Sequence, residues 1–154
     1  MDDEKLNVDI VKMSKNHVDA VSEIEAQLFS TPWSKQAFAD TLLMEHVIFL
    51  TALVEGTVAG YCGIYLAADE GEVTNVAVAP SFQRHKIAQR LLDKTIAAAH
   101  AKGAQQIFLE VRDSNEPAIC LYQGAGFRKI GVRQNYYQKP QEDALVMMLQ
   151  YADK

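Results

Sequence analysis

Apolar residues recur along the chain with two different periods, and the switches between them mark the elements. Val8 to Met13 alternates apolar and polar positions as a half-buried strand does. Val18, Val21, Ile24 and Leu28 then recur in steps of three and four. That predicts a helix from His17 to about Leu28 with those residues on its buried face and Asn16 as its cap. Phe29-Ser30-Thr31-Pro32-Trp33-Ser34 breaks the pattern, and Ser34 is placed to cap a second helix, Lys35 to Met44, that buries Phe38, Leu42 and Leu43. From His46 the period changes to that of strands. Two apolar runs, Val47 to Val54 and Val58 to Leu66, flank Glu55-Gly56-Thr57, which reads as a hairpin turn. Asp69-Glu70-Gly71 makes another turn, and Glu72 to Ala79 is a further strand.

The second half continues in alternation. A helix carries Ile87, Leu91, Leu92 and Ile96 at helical spacing and stops at Gly103. Gln106 to Val111 is a strand, and Asn115 can cap the next helix, with Pro117 in its first turn where proline is tolerated. That helix ends near Gly124 and Gly126, and Phe127 to Tyr137 with Asp143 to Gln150 forms a last hairpin around Lys139-Pro140. The order β-α-α-β-β-β-α-β-α-β-β implies one mixed sheet, largely antiparallel at its start, with helices on both faces. The fold class expected is therefore α/β (α+β) with six or seven strands. No repeat or linker interrupts it, so residues 1–154 are read as one domain.

The stretch Val73 to Leu92, strand then proline-closed turn then loop then helix, has chemical content of its own. Backbone N–H groups at a helix start have no intrahelical partner, and the helix dipole adds partial positive charge. A phosphate or pyrophosphate suits such a place. No Gly-Lys-Ser/Thr follows to hold a nucleotide with Mg²⁺, and no G-x-G-x-x-G opens a dinucleotide fold. A pyrophosphate carrier that needs no metal, such as coenzyme A, fits better. The plain alternative is a surface loop entering an ordinary amphipathic helix.

Composition narrows the classes. The 154 residues suffice for a core without staples, and a formal charge of −5 argues against a general nucleic-acid binder while favouring a basic peptide. Met1-Asp2-Asp3-Glu4-Lys5 lacks the basic and apolar parts of a signal peptide, and the run Val47 to Tyr65 is interrupted by Glu55, Gly56 and Gly60, so neither secretion nor membrane insertion is expected. A cytoplasmic protein is the expectation. Cys62 and Cys120 fit no zinc or disulfide pattern and read as two small buried thiols. His17, His46, His85 and His100 are scattered, so no metal is expected.

Two side chains stand out as acid–base candidates. Glu110 lies near the end of the otherwise apolar strand Ile107-Phe108-Leu109-Glu110-Val111-Arg112, as a base or as a strand-end carboxylate paired with Arg112. Tyr122, in Ala118-Ile119-Cys120-Leu121-Tyr122, is either a core aromatic or a proton donor, since a phenol with a reference pKa of about 10 holds its proton until a stronger base appears. Asn115 most simply caps its helix, though its side chain could also reach an amide of a bound cofactor.

These residues carry a resemblance. Gln83-Arg84-His85-Lys86-Ile87-Ala88 is similar to the acyl-CoA loop of the GNAT acetyltransferases, Gln/Arg-x-x-Gly-x-Gly/Ala. The blocks Leu109-Glu110-Val111-Arg112, Leu121-Tyr122, Gly126-Phe127, Arg133-Gln134-Asn135-Tyr136-Tyr137 and Glu142-Asp143-Ala144, with Pro32-Trp33-Ser34, resemble the RimI-type ribosomal-protein-alanine N-acetyltransferases over essentially the whole chain. The resemblance implies the GNAT fold, with a splayed pair of central parallel strands, here Glu72–Ala79 and Gln106–Val111. It implies acetyl-CoA as donor, Glu110 as proton acceptor and Tyr122 as proton donor. Val76, Ala77 and Val78 would pair with the pantetheine arm; Arg84, His85, Lys86, Ile87, Ala88 and Gln89 would hold the pyrophosphate, and Asn115 would touch the cofactor. Trp33, Arg133, Tyr136 and Tyr137 would line the peptide side, the last two being equally readable as cross-strand packing.

Lys86 departs from the pattern, where the family has glycine. A positive φ there costs a lysine about 1–2 kcal/mol, whereas in the ordinary helical region the penalty vanishes and a cation joins the anion site. The fit of Gln83, Arg84 and Ala88 favours the helical region. The resemblance implies N-terminal acetylation, with the alanine terminus of small-subunit ribosomal protein eighteen as acceptor, by direct attack, since neither cysteine has an evident base beside it. A monomer is favoured, with no nucleic-acid or membrane partner. The rivals are a GNAT enzyme for a small amine or lysine side chain, and an acyl-CoA-binding module that has lost turnover.

Overall fold

The computed structural model describes residues 6–151; the acidic start Met1–Lys5 that bears on secretion lies outside the described residues. The elements follow the expected order. They are β1 (Val8–Lys12), α1 (Val18–Leu28), α2 (Lys35–Thr41), β2 (Val47–Val54), β3 (Thr57–Ala67), β4 (Glu70–Val78), α3 (Ile87–Ala101), β5 (Gln106–Arg112), α4 (Glu116–Gly124), β6 (Arg128–Gln138) and β7 (Gln141–Gln150). Among the described residues the strands form one seven-stranded sheet in the order β1-β2-β3-β4-β5-β7-β6.

The pairing explains the shape of the middle. β1 to β4 are joined antiparallel, and Glu55 (φ 50°) and Gly56 (φ 82°) both take the left-handed conformation of a two-residue hairpin turn between β2 and β3. β4 and β5 are the parallel pair, yet their pairing covers only Glu70–Gln106, Gly71–Ile107 and Glu72–Phe108. Beyond Glu72 the two strands part. On their far edges β4 stays paired with β3 and β5 with β7, so the parting opens the facing edges of both strands, β4 from Val73 to Val78 and β5 beyond Phe108.

Two apolar clusters hold the sheet. On one face α3 buries Ile87, Leu91, Leu92 and Ile96 against Ile64, Ile107, Leu109 and Met147. On the other, Val18, Val21 and Ile24 of α1 and Phe38 of α2 meet Phe49, Tyr61 and Ala77. Each large side chain so buried contributes about 1.5–3 kcal/mol. Gly63 is required on this second face, because a Cβ there would overlap the Phe49 ring.

Several expectations are corrected. Asn16 does not cap α1: it sits inside a 3₁₀ turn, Lys15–His17, that Ser14 begins, and the Ser14 N–H donates to His17 Nδ1 at 3.0 Å. Leu28 is exposed, and Glu25 takes a buried place on the inner face of α1. α2 ends at Thr41, so Leu43 falls past the helix and is 86 % exposed, while Ser34 caps as expected by accepting from the Ala37 N–H at 3.0 Å. Cys62 is buried, but Cys120 faces outward on α4 because that helix turns Tyr122 inward.

Candidate active site

The parting of β4 and β5 leaves a wedge with two chemically different sides. On the first, β4 runs into a short 3₁₀ turn, Pro80–Phe82, and then into the loop before α3. The Gln83 side chain donates to the Val78 carbonyl at 3.0 Å and ties that loop to the strand end. The first intrahelical bond of α3 is from Arg90 N–H to Lys86 O at 3.1 Å, so the N–H groups of Ile87, Ala88 and Gln89 have no partner within the helix. A recess of about 140 Å³ lies here, lined by Val78, Phe82, Gln83, Arg84, Lys86, Ile87, Ala88, Gln89 and Leu121. Its lining holds two cations and no carboxylate, which fits a polyphosphate. His85 is exposed and outside that lining.

Lys86 corrects the sequence expectation. It is the N-cap of α3 with φ 61° and ψ 22°, left-handed, and Arg84 is left-handed too (φ 72°). Two β-carbon-bearing residues thus occupy backbone conformations that glycine adopts freely, each at a cost of about 1–2 kcal/mol. The chain keeps the loop's shape without its usual glycine and accepts the strain. The other strand-to-helix connection, from β5 to α4, is made with a negative φ at its cap (Asn115, φ −86°), so the left-handed cap is particular to this loop.

The second side is built from side chains. Glu110 accepts from Arg133 Nε at 2.9 Å and is largely enclosed, while Arg133 is more than half exposed. The carboxylate is therefore paired across two strands with β6, and not with its neighbour Arg112. Arg112 instead meets Glu142 at 3.3 Å, donates to the carbonyls of Lys139 and Pro140, and lies 4.3 Å from the centre of the Tyr137 ring.

The R-Q-N-Y-Y block leaves the regular ladder: register shifts between Arg133 and Tyr137, with Asn135 left-handed at φ 53°. Such a bulge re-aims side chains at a sheet edge. Asp143 pins it by accepting from the Asn135 N–H at 2.9 Å, and Glu142 accepts from the Ser114 N–H at 2.6 Å. The acidic pair of the last hairpin is scaffolding for the loop after β5 and for the bulge. Tyr136 and Tyr137 meet edge to face at 5.1 Å, and Arg133 lies 5.8 Å from the Tyr136 ring centre.

Tyr122 is buried on α4 and packs edge-on to Phe127 at 5.9 Å. Burial, then Cys62 and Tyr137, push its phenol well above the ordinary range, so it carries its proton at neutral pH. Tyr137 is pushed up to about 12 by burial, by Tyr136 and by Glu110, with Arg112 opposing. Asn115 caps α4 by accepting from the Ala118 N–H at 3.2 Å.

Sequence reasoning passed over three groups on this face. Glu72 ends the parallel pairing, and desolvation and Glu110 raise its carboxyl while Arg133 lowers it. Glu25 and Asn75 meet inside the second cluster. A carboxylate at the position four after Val21, within an apolar helical stripe, was the available signal for Glu25.

The comparisons with known proteins agree with this geometry. Residues 18–127 match the acetyltransferase (GNAT) family. The N-alpha-acetyltransferase RimI of Mycobacterium tuberculosis is 34 % identical, over 91 % of this chain and 90 % of its own length. The ribosomal protein bS18-alanine N-acetyltransferase of Salmonella typhimurium is 33 % identical over 89 % and 93 %. The crystal structure of the ribosomal-protein-S18-alanine N-acetyltransferase from Escherichia coli superposes with a TM-score of 0.87 at 30 % identity, covering 96 % of both chains. With that family match over most of its length, and with relatives above 30 % identity and a shared fold, the chain belongs to the GNAT acetyltransferases, among their RimI-type members.

Proposed function

We propose that the chain, as a single domain spanning residues 1–154, transfers acetyl from acetyl-CoA to the terminal amine of a protein, and that its acceptor is the one its relatives are named for, the alanine terminus of ribosomal protein bS18. The observation that carries this reading is the open edge of β4 beyond Glu72, flanked by the anion recess on one side and by Glu110 on the other. An extended arm can add to such an edge as a strand does, through main-chain groups of Val76, Ala77 and Val78. Its pyrophosphate then reaches the free N–H groups of Ile87, Ala88 and Gln89 with the cations of Arg84 and Lys86, while Asn115 borders the arm. Acetyl-CoA supplies an activated thioester whose sulfur leaves as a thiolate.

The chain's own groups do the proton work. Glu110 takes a proton from the acceptor amine, directly or through one water, so that the nitrogen lone pair can attack. A main-chain N–H at Val76 donates to the carbonyl oxygen as it gains charge. Tyr122 gives its proton to the departing sulfur; the burial that raises its pKa keeps that proton in place until then. Trp33, Arg133, Tyr136 and Tyr137 border the acceptor's first residues, and the bulge that re-aims β6 suits an edge that must leave room for a chain end.

Turnover of acetyl-CoA against a panel of N-terminal hexapeptides, read by mass spectrometry, tests this. Acetylation of the α-amine of Ala-starting peptides is expected. Acetylation of internal lysines or free amines alone overturns the acceptor, and acetyl-CoA binding with no release of coenzyme A on any amine overturns the enzyme reading.

A further inference from the structure

Glu25 is the one buried charged side chain among the described residues, at 3 % exposure, and no cation pairs with it among them. Enclosing a carboxylate is costly unless hydrogen bonds replace its water. Three donors do so. Tyr61 Oη donates to Oε1 at 2.6 Å, Asn75 Nδ2 donates to the same oxygen at 3.3 Å, and the Trp33 main-chain N–H donates to Oε2 at 3.0 Å. They come from β3, from β4 and from the loop between α1 and α2.

Their places give the arrangement its meaning. Tyr61 lies opposite Ala77 in the β3–β4 ladder, and Asn75 immediately precedes Val76, so both are fixed to the stretch of β4 with the open edge. Trp33 lies on the facing loop, its ring resting on Phe38 at 5.2 Å and on Phe49 at 6.0 Å. One carboxyl group therefore sets the distance between that loop and the strand. Apolar residues of similar size would fill the space at less cost in desolvation, but apolar packing has none of the directionality with which a charge-assisted bond fixes a main-chain N–H.

We infer that Glu25 is a positioning residue for acetyl transfer: it holds the Trp33 loop at a set distance from β4 and so sets where the acceptor's first residues lie relative to the acetyl donor. The inference rests on the N-terminal acetyltransferase reading. Glu25 touches neither reactant and acts through Trp33 and β4.

Glu25→Gln separates this from a merely structural role. An amide has one acceptor oxygen, so if that oxygen keeps the two donors Tyr61 and Asn75, its NH₂ faces the Trp33 N–H and the loop is released. Trp33 is the sole tryptophan of the chain, which makes acrylamide quenching a direct report on that loop. Quenching should rise in Glu25→Gln, and KM for an Ala-starting peptide should rise about tenfold, the loss of one charge-assisted bond, with KM for acetyl-CoA within about twofold. Tyr61→Phe removes a donor from the same carboxylate and leaves the Trp33 bond. It should lower the melting temperature while leaving quenching and peptide KM within about twofold.

Unchanged quenching in folded Glu25→Gln, or a fall in kcat alone with peptide KM unmoved, overturns the inference and leaves the functional reading standing. A wild-type chain that acetylates no peptide overturns the functional reading instead, and the quenching comparison then judges the loop anchor by itself. If Glu25→Gln does not fold, Glu25→Asp, which keeps the charge but withdraws it by one methylene, is read in the same way.

Discussion

The two sides of the wedge are held by opposite means. The loop before α3 owes its form to main-chain chemistry: free N–H groups at a helix start, one side-chain tie from Gln83 to Val78, and two left-handed residues, Arg84 and Lys86, that border the recess. The other side depends on named side chains reaching across the fold, such as Glu110 to Arg133, Glu142 to the Ser114 N–H, and Glu25 to Tyr61 and Asn75. The contrast says where substitutions will hurt. An anion recess made of backbone tolerates changes of side chain, as Lys86 itself illustrates. A wall made of cross-strand pairs does not.

The largest test of that contrast is Glu110→Gln, which should lower turnover of an Ala-starting peptide about a thousandfold, within the range for loss of a general base. The deficit should be greatest at lower pH, where the acceptor amine is protonated, and coenzyme A binding should persist. A pH–rate profile that matches wild type removes Glu110 as base. Tyr122→Phe comes next. If the buried phenol protonates the leaving sulfur, kcat should fall about a hundredfold with KM for acetyl-CoA held. A variant that melts lower but turns over normally assigns Tyr122 to packing against Phe127.

Glu142 gives a smaller and pH-dependent effect on stability. Hydrogen bonding from Ser114, with Arg112 assisting against some desolvation, holds its carboxyl below the usual range. A depressed folded pKa means the stabilisation is present above the unfolded value of about 4.3 and is lost as pH falls through the folded one. Melting temperatures of wild type and Glu142→Gln should therefore differ at neutral pH and converge on acidification. A constant gap across the acid range would detach Glu142 from the ion pair.

Lys86 predicts the smallest change. Lys86→Gly relieves about 1–2 kcal/mol of left-handed strain and adds about 0.5–1 kcal/mol of backbone entropy cost, so a net gain of roughly 0.5–1 kcal/mol is expected in denaturant unfolding. Lys86→Ala keeps the strain and removes the charge. If coenzyme A affinity falls in both variants alike, the lysine contributes as a cation; if it falls in neither, the backbone alone makes the site.

Much of this was legible along the chain because it is local. The strand and helix periods located each element, the hairpin turn falls at Glu55-Gly56 as its residues suggest, and Ser34 and Asn115 cap as their positions suggest. The misses share one cause. Periodicity shows which face of a helix is apolar but not what the sheet offers opposite it. Leu28 was expected inside and Glu25 took a buried place, because Tyr61 and Asn75 present donors at that point of the face. Leu43 fell outside because α2 stops a turn early, and Cys120 because α4 rotates Tyr122 inward.

Element order, hairpin turns and the donors at the start of α3 follow from short-range sterics and the hydrogen-bonding needs of the backbone, which neighbouring residues dictate. The hand of Lys86, the choice of Arg133 over Arg112 as partner of Glu110, and the burial of Glu25 were decided by the folded arrangement. Partner choice among charges depends on distances between strands. Those distances are set by the order β5-β7-β6 and by where β4 and β5 part, and no spacing along the chain encodes them.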